Sequence, residues 1–210
     1  MSQVLTKSPK HCAQKGLNIK KLHKKLLYAF CIFLLSIIAL IFLVWLTFHS
    51  SKPQFALQEA DIYQLNLSGL NHLNSSIQFT VLSKNPNKKV GIYYDRTQVY
   101  ASYKGQQITV YTSLPPFYQA HEESNLLTAA AVGSEIPVAP SFRYEVGRDL
   151  TAGKLVLLLK MNGKLRWRVA SWVSWRYRFS VNCVATFPLG PSMPLGPLSF
   201  KQGIRCSTTV

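Results

Sequence analysis

The hydrophobic and polar positions change rhythm once along this chain, near residue 50. Leu26 to Phe48 form a run of 23 residues without a charge, and from Phe55 onward apolar and polar positions mostly alternate. As an α-helix the run would reach roughly 34 Å at ~1.5 Å per residue, enough to cross a ~30 Å hydrocarbon core with some tilt. Its only polar interruptions are Ser36 and Thr47, whose hydroxyls can bond back to the helix's own carbonyls, and 16 of its residues are Leu, Ile, Phe or Val. Insertion into a bilayer is then favoured by about 5 to 10 kcal/mol as an upper bound. A cleaved signal peptide has a shorter apolar stretch and a small-residue cleavage site, whereas Thr47-Phe48-His49-Ser50-Ser51-Lys52 follows a long one. The pattern predicts a retained signal anchor at 26–48, between a basic tail at 1–25 and a linker at 49–54, with one domain over 55–210.

That domain reads as mainly β. Tyr63, Leu65 and Leu67 alternate with Gln64, Asn66 and Ser68, and Ile77, Phe79 and Val81 repeat the pattern. Further strands are expected over Val90 to Tyr94, Val99 to Tyr103 and Ile108 to Thr112, with Lys104-Gly105 as a turn. Ser124 to Val132 fits a short helix or a strand equally well. Asn162-Gly163, which accepts the positive φ of a type I′ turn, predicts a tight hairpin between Leu155–Met161 and Lys164–Val169. A following strand, Trp175 to Cys183, would turn Trp175, Tyr177, Phe179, Val181 and Cys183 inward. Two Pro-Leu-Gly-Pro copies, at 188–191 and 194–197, predict a loop between the last strands, and Thr208-Thr209-Val210 a frayed end. Short strands without a βαβ rhythm favour an immunoglobulin- or fibronectin-like β-sandwich.

Charge sets the orientation. Lys7, Lys10, Lys15, Lys20, Lys21, Lys24 and Lys25 precede the apolar run without an acidic residue, and only Lys52 follows closely. The positive-inside bias predicts a cytosolic N-terminus and a domain in the secretory lumen or outside the cell. The formal charge of +16 then divides into +7 on the tail and +9 on the domain, where 17 Lys and Arg oppose all 8 acidic residues. A soluble chain this basic would suggest nucleic acid, but behind a membrane that partner is not expected. The tail lysines suit anionic lipid of the inner leaflet.

Cys183 and Cys206 share the oxidising side and close a loop of 24 residues, so a disulfide is predicted there; Cys12 lies in the tail and Cys31 in the apolar run. Asn66-Leu67-Ser68 and Asn74-Ser75-Ser76 are glycosylation sequons on the same side, and Pro86 disqualifies Asn85. If the strands around 164–169 and 175–183 are neighbours, Lys164, Arg166, Arg168, Arg176 and Arg178 share one solvent-facing sheet surface. That basic face is the chain's main candidate for binding, to acidic cell-wall polysaccharide, to lipid headgroups or to other membrane proteins.

Catalytic patterns are not met. His121-Glu122 opens like HExxH, but the position of the second histidine is Asn125. No GxSxG, GxxxxGK[ST], CxxC or Asp-x-Asp pattern occurs. A non-enzymatic protein without a cofactor is expected.

Asn85-Pro86-Asn87-Lys88-Lys89-Val90-Gly91-Ile92-Tyr93-Tyr94-Asp95 closely resembles the hallmark of the plant NDR/HIN-like family, within the group-2 late-embryogenesis-abundant superfamily. Leu114-Pro115-Pro116-Phe117-Tyr118-Gln119 and Tyr177-Arg178-Phe179-Ser180-Val181-Asn182-Cys183 resemble two further blocks of that family. The resemblance implies a β-sandwich ectodomain, plasma-membrane placement and a role in pathogen response, with some relatives at plasmodesmata. It brings no catalytic residues. Read from its residues, the hallmark is structural: Asn85-Pro86-Asn87 turns, Lys88 and Lys89 stay wet, and Ile92 and Tyr94 oppose Tyr93 and Asp95 across a strand.

Overall fold

A computed structural model describes residues 19–47, 50–69, 71–188 and 197–210, with the side chains at 19–22 and 44–47 outside the description. Lys7, Lys10, Lys15 and Cys12 of the tail, and most of the Pro-Leu-Gly-Pro segment, lie outside these residues. The chain forms two units, Met1–His49 and Ser50–Val210.

In the first unit, helix α1 spans Ile19–Thr47, starting upstream of the uncharged run. Its stretch His23–Leu43 is long and apolar enough to cross a membrane by length and composition. Ser36 Oγ donates to the carbonyl of Phe33 at 2.7 Å, the back-bond expected of a hydroxyl in an apolar helix.

The second unit is mainly β, as the alternation predicts. Its strands are β1 (Gln54–Ser68), β2 (His72–Lys84), β3 (Val90–Tyr103), β4 (Gln106–Gln107), β5 (Thr112–Leu114), β6 (Phe117–Gln119) and β7 (Ser124–Pro137). After helix α2 (Phe142–Thr151) come β8 (Lys154–Val169), β9 (Trp172–Val173), β10 (Tyr177–Pro188), β11 (Leu198–Arg205) and β12 (Ser207–Thr209). A four-stranded sheet runs β11-β1-β2-β7. The larger sheet runs β12-β10-β8-β3-β4, with β5 and β6 also beside β3 and β9 beside β8. All pairings are antiparallel. The inner faces meet in one core that includes Leu57, Ile77 and Phe79 of the smaller sheet and Ile92, Leu157 and Val181 of the larger.

The structure resolves one open choice and changes four local expectations. Ser124 to Val132, which fits a helix or a strand by pattern, lies in a strand, β7. Ile108 to Thr112 is not a strand of its own: Ile108 N bonds Ala101 O and Val110 N bonds Val132 O, so this segment is shared between β3 and β7. Tyr63 is exposed, because β1 shifts register between Ile62 and Gln64 and the irregularity reverses the alternation at that point. Trp175 and Tyr177 also face solvent: β10 starts only at Tyr177, and the inward series begins at Phe179. The end of the chain is paired, Thr208 and Thr209 lying opposite Val181 and Ser180.

The Asn162-Gly163 hairpin is overturned more completely. Both residues lie inside β8, whose alternate residues from Leu155 to Met161, and again Leu165 and Trp167, are buried. Gly163 is required there by close approach: a Cβ would collide with the backbone carbonyl of Arg96 and stand 2.6 Å from Cε1 of Phe179. The ring of Phe179, opposite Gly163 on β10, occupies the space a side chain would take and stacks on Phe55 with centroids 6.0 Å apart. An Ala at an ordinary strand glycine stabilises by about 0.5 to 1 kcal/mol. Here the sign reverses, and Gly163→Ala is expected to destabilise the domain by about 2 kcal/mol through overpacking. A lowered urea midpoint for the detergent-solubilised variant is the expected reading, and an unchanged or raised one would contradict it.

Candidate functional site

The hallmark segment occupies the turn into β3 and the first half of that strand, and each residue has a mechanical task. Asn85 is fully buried. Its Nδ2 donates to the carbonyls of Val90 (2.8 Å) and Ala120 (2.9 Å), while its Oδ1 accepts from the backbone N (3.1 Å) and Nδ2 (2.8 Å) of Asn87. Asn87 passes the tie on: its Oδ1 accepts from Ser51 N at 2.6 Å and its Nδ2 donates to Ser51 O at 2.8 Å. Pro86 sits between them, and Lys88 and Lys89 are exposed. Tyr94 is buried, with its hydroxyl 3.3 Å from Oε1 of Gln119, and burial raises its pKa far above the ordinary phenol value. Gln119, also buried, donates to the carbonyls of Ser83 and Glu123 and to Asn125. Nothing in its own residue type marked Gln119 as this hub.

On the outer face of β3 a bulge places Asp95. Tyr94 lies opposite Leu165 and Arg96 opposite Lys164, so Asp95 is the extra residue between them. The bulge sends both Asp95 and Arg96 outward and returns Thr97 to the interior. Asp95 there accepts from Arg166 Nη2 at 2.6 Å and from Arg176 Nε at 2.9 Å. Partial burial pushes its carboxyl up, but the hydrogen bonds and charges of the two arginines together outweigh this and hold it below the usual carboxylate range. A depressed pKa stabilises the fold above the unfolded value, and the contribution disappears as pH falls through the folded one. Because Arg176 is largely exposed, the cluster contributes only about 1 kcal/mol. Asp95→Asn should therefore lower stability by that amount at neutral pH, with the gap to the parent closing below about pH 4. Paired urea titrations across that range check it; a pH-independent gap would show that the charge is irrelevant.

The predicted basic face exists, but its five members are not equivalent. Arg178 lies opposite Lys164 across β8 and β10. Arg166 and Arg176 are committed to Asp95. Arg168 donates to the Tyr93 hydroxyl at 3.0 Å and lies 5.9 and 5.4 Å from the ring centroids of Tyr93 and Tyr118, which are themselves 4.6 Å apart. Gly91 makes this stack possible, since a Cβ there would run into the Tyr118 ring. Lys164 and Arg178 remain without a partner among the described residues, as does Arg96, which the sequence reading did not single out. These three line an open cleft of about 570 Å³ with Gln98, Asn162 and Ser180. Its cations, two of them on neighbouring strands and one brought outward by the bulge, can engage an anion but supply no nucleophile paired with a base.

The other expected sites lie elsewhere. Cys183 on β10 is bonded to Cys206, which sits between β11 and β12. Asn66 and Asn74 are direct cross-strand partners near the β1–β2 tip, Asn66 exposed and Asn74 half-buried with its Oδ1 accepting from Glu135 N at 2.8 Å. His121 and Glu122 occupy the turn between β6 and β7, and among the described residues no three His, Cys, Asp or Glu side chains gather as metal ligands would.

Residues 80–183 match the family described as Late embryogenesis abundant protein. The chain is 56% identical to NDR1/HIN1-like protein 26 of Arabidopsis thaliana, with 100% of each covered. It is 37% identical to NDR1/HIN1-like protein 1 from the same plant over 86% of this chain and 88% of the relative, and 40% identical to NDR1/HIN1-like protein 12 over 73% of each. The matched region holds the β3 turn, the Asp95 bulge and the arginines that surround it, and the full-length likeness takes in the apolar helix as well. On these grounds the chain belongs to the NDR1/HIN1-like family.

Proposed function

We propose that this chain is a non-enzymatic, single-pass plasma-membrane protein that acts in plant defence through contacts of its β-sandwich with cell-wall polysaccharide, lipid or other membrane proteins. In this reading α1 is the anchor, the N-terminus is cytosolic, the sandwich lies outside and Asn66 is free to carry a glycan. The observation that carries it is the family relation along the entire chain, which supports a defence- or stress-related, non-enzymatic role. A place in plasmodesmal cell-to-cell transport is the finer form of the same proposal.

The contact itself is assigned to the cleft cations. Arg96, Lys164 and Arg178 are the members of the basic surface not already neutralised or stacked, so they have the most electrostatic energy left for an acidic polymer. Replacing the three with Ser should weaken binding to polygalacturonate about tenfold at low salt, while Arg166→Ser should change it much less. Equal loss in both, or no loss in either, would remove the cleft as the contact. A structural stress-response protein with no specific ligand is the competing reading. Expression of residues 1–49 alone in a plant lacking the protein decides between them: restored pathogen resistance would favour the competitor.

A further inference from the structure

The two ends of the sandwich differ chemically. Ser51, where the chain enters the domain, is clasped by Asn87 through two hydrogen bonds. Asn85 binds Val90 O, Val90 lies opposite Val169 on β8, and Val169 lies opposite Trp172 on β9. Trp172 is therefore two strand spacings, about 10 Å, from Val90 and at the entry end of the domain. Asn66 lies twelve positions beyond Gln54, the first residue of β1, with Asn74 opposite it on β2, roughly 35 to 40 Å away at strand rise.

The entry end is aromatic and basic. In the short excursion between β8 and β10, Trp172 is 61% and Trp175 85% exposed. The scaffold holding them is ordered: Ser174 N donates to Trp167 O at 2.8 Å and Ser174 Oγ accepts from Trp167 N at 2.9 Å. Nearby, Lys52, Lys84, Lys88 and Lys89 are exposed, against Glu122 and Glu123. The Glu123 carboxylate is already used by Ala120 N and Asn125. Indoles on a fixed turn beside lysines match the region of a bilayer where rings sit at headgroup depth and cations meet phosphate.

We infer that this end of the domain, with Trp172 and Trp175 inserted among them, docks on the anionic phospholipid headgroups of the membrane that holds α1. The inference concerns a surface separate from the cleft and rests only on reading α1 as the anchor. Chain length favours this occupant over a soluble partner: four peptide steps separate Thr47, the last residue of α1, from Ser51, a reach of at most ~14 Å. The tether confines the entry end near the bilayer surface, so the docking is effectively intramolecular.

The test uses the full chain reconstituted in vesicles of phosphatidylcholine and phosphatidylglycerol, with lipids brominated near the glycerol end of the acyl chains as tryptophan quenchers. Trp45→Phe leaves emission from Trp167, Trp172 and Trp175. Docking predicts about a twofold loss of that emission in brominated vesicles, reduced when Lys88 and Lys89 are changed to Glu or when phosphatidylglycerol is omitted. Trp172→Phe with Trp175→Phe leaves Trp45 and the core residue Trp167, and of these Trp45 reports the apolar run. Quenching of Trp45 with no quenching in Trp45→Phe would overturn the docking while leaving the anchor in place, and would give the exposed indoles to a protein or polysaccharide instead. Quenching in neither would overturn the anchor reading and the inference with it. Quenching in Trp45→Phe that is indifferent to both charge changes would overturn the anionic headgroup as the partner.

Discussion

Replacing Asn85 by Ala should destabilise the domain by about 3 to 4 kcal/mol, the largest loss expected from a single side chain here. The substitution strips hydrogen bonds from the carbonyls of Val90 and Ala120 and from the backbone N of Asn87, and it frees the Asn87 amide that clasps Ser51. Three backbone groups at about 1 to 3 kcal/mol each set the upper bound, and partial rehydration of a turn near the surface brings the figure down. Asn85→Asp separates geometry from volume. The carboxylate keeps the size but turns two donors into acceptors facing carbonyl oxygens, so at neutral pH it should be at least as damaging as Ala. As pH falls, protonation restores one donor and the loss should shrink. Urea unfolding of the detergent-solubilised chain, followed by tryptophan emission, measures all of this; a loss below about 1 kcal/mol for Asn85→Ala would show that water replaces the side chain freely.

Changing Cys183 and Cys206 together to Ala is expected to cost about 3 kcal/mol, the chain-entropy value for a closed loop of this length. Location adds a structural signature to that figure. Cys206 lies where the chain leaves β11 in the smaller sheet for β12 in the larger one, and its backbone N donates to Phe55 O at 2.9 Å. Cys183 is in the larger sheet, so the bridge holds the crossing segment to the sandwich. Beyond it, β12 has only three residues paired to β10. Without the bond, amide exchange should accelerate first in β11 and β12 and leave β2, β3 and β8 protected. Reductant acting on the unaltered chain should reproduce the same pattern. Uniform acceleration across both sheets would mean that the segment has no separate stability.

The hallmark illustrates how much local chemistry reveals. Its turn residues, its wet lysines and the inward pair Ile92 and Tyr94 follow from residue type and a period of two, because in a sheet with one wet face each side chain needs only to know which side it is on. The cysteine pair follows from compartment and elimination in the same way. What Asp95 does is another matter. Its two arginine partners are 71 and 81 residues away, and only the bulge puts Arg96 beside it on the outer face. Asn162-Gly163 has the chemistry of a turn, yet stands inside β8 because the Arg96 carbonyl and the Phe179 ring leave no room for a Cβ. The same dipeptide would serve either purpose, and nonlocal neighbours choose.

By itself, the sequence determined the uncharged helix, the alternating β domain behind it, the pairing of Cys183 with Cys206 and the family, since each depends on composition, periodicity or a short contiguous motif. Tertiary structure alone decided which cations are spent on Asp95, Tyr93 and Tyr118 and which line the cleft, and that Trp172 and Trp175 gather at the end where the chain enters. Those outcomes depend on strand register. A single bulge or a two-residue strand moves a side chain from one face to the other, and register is settled by the summed packing of residues distant in sequence.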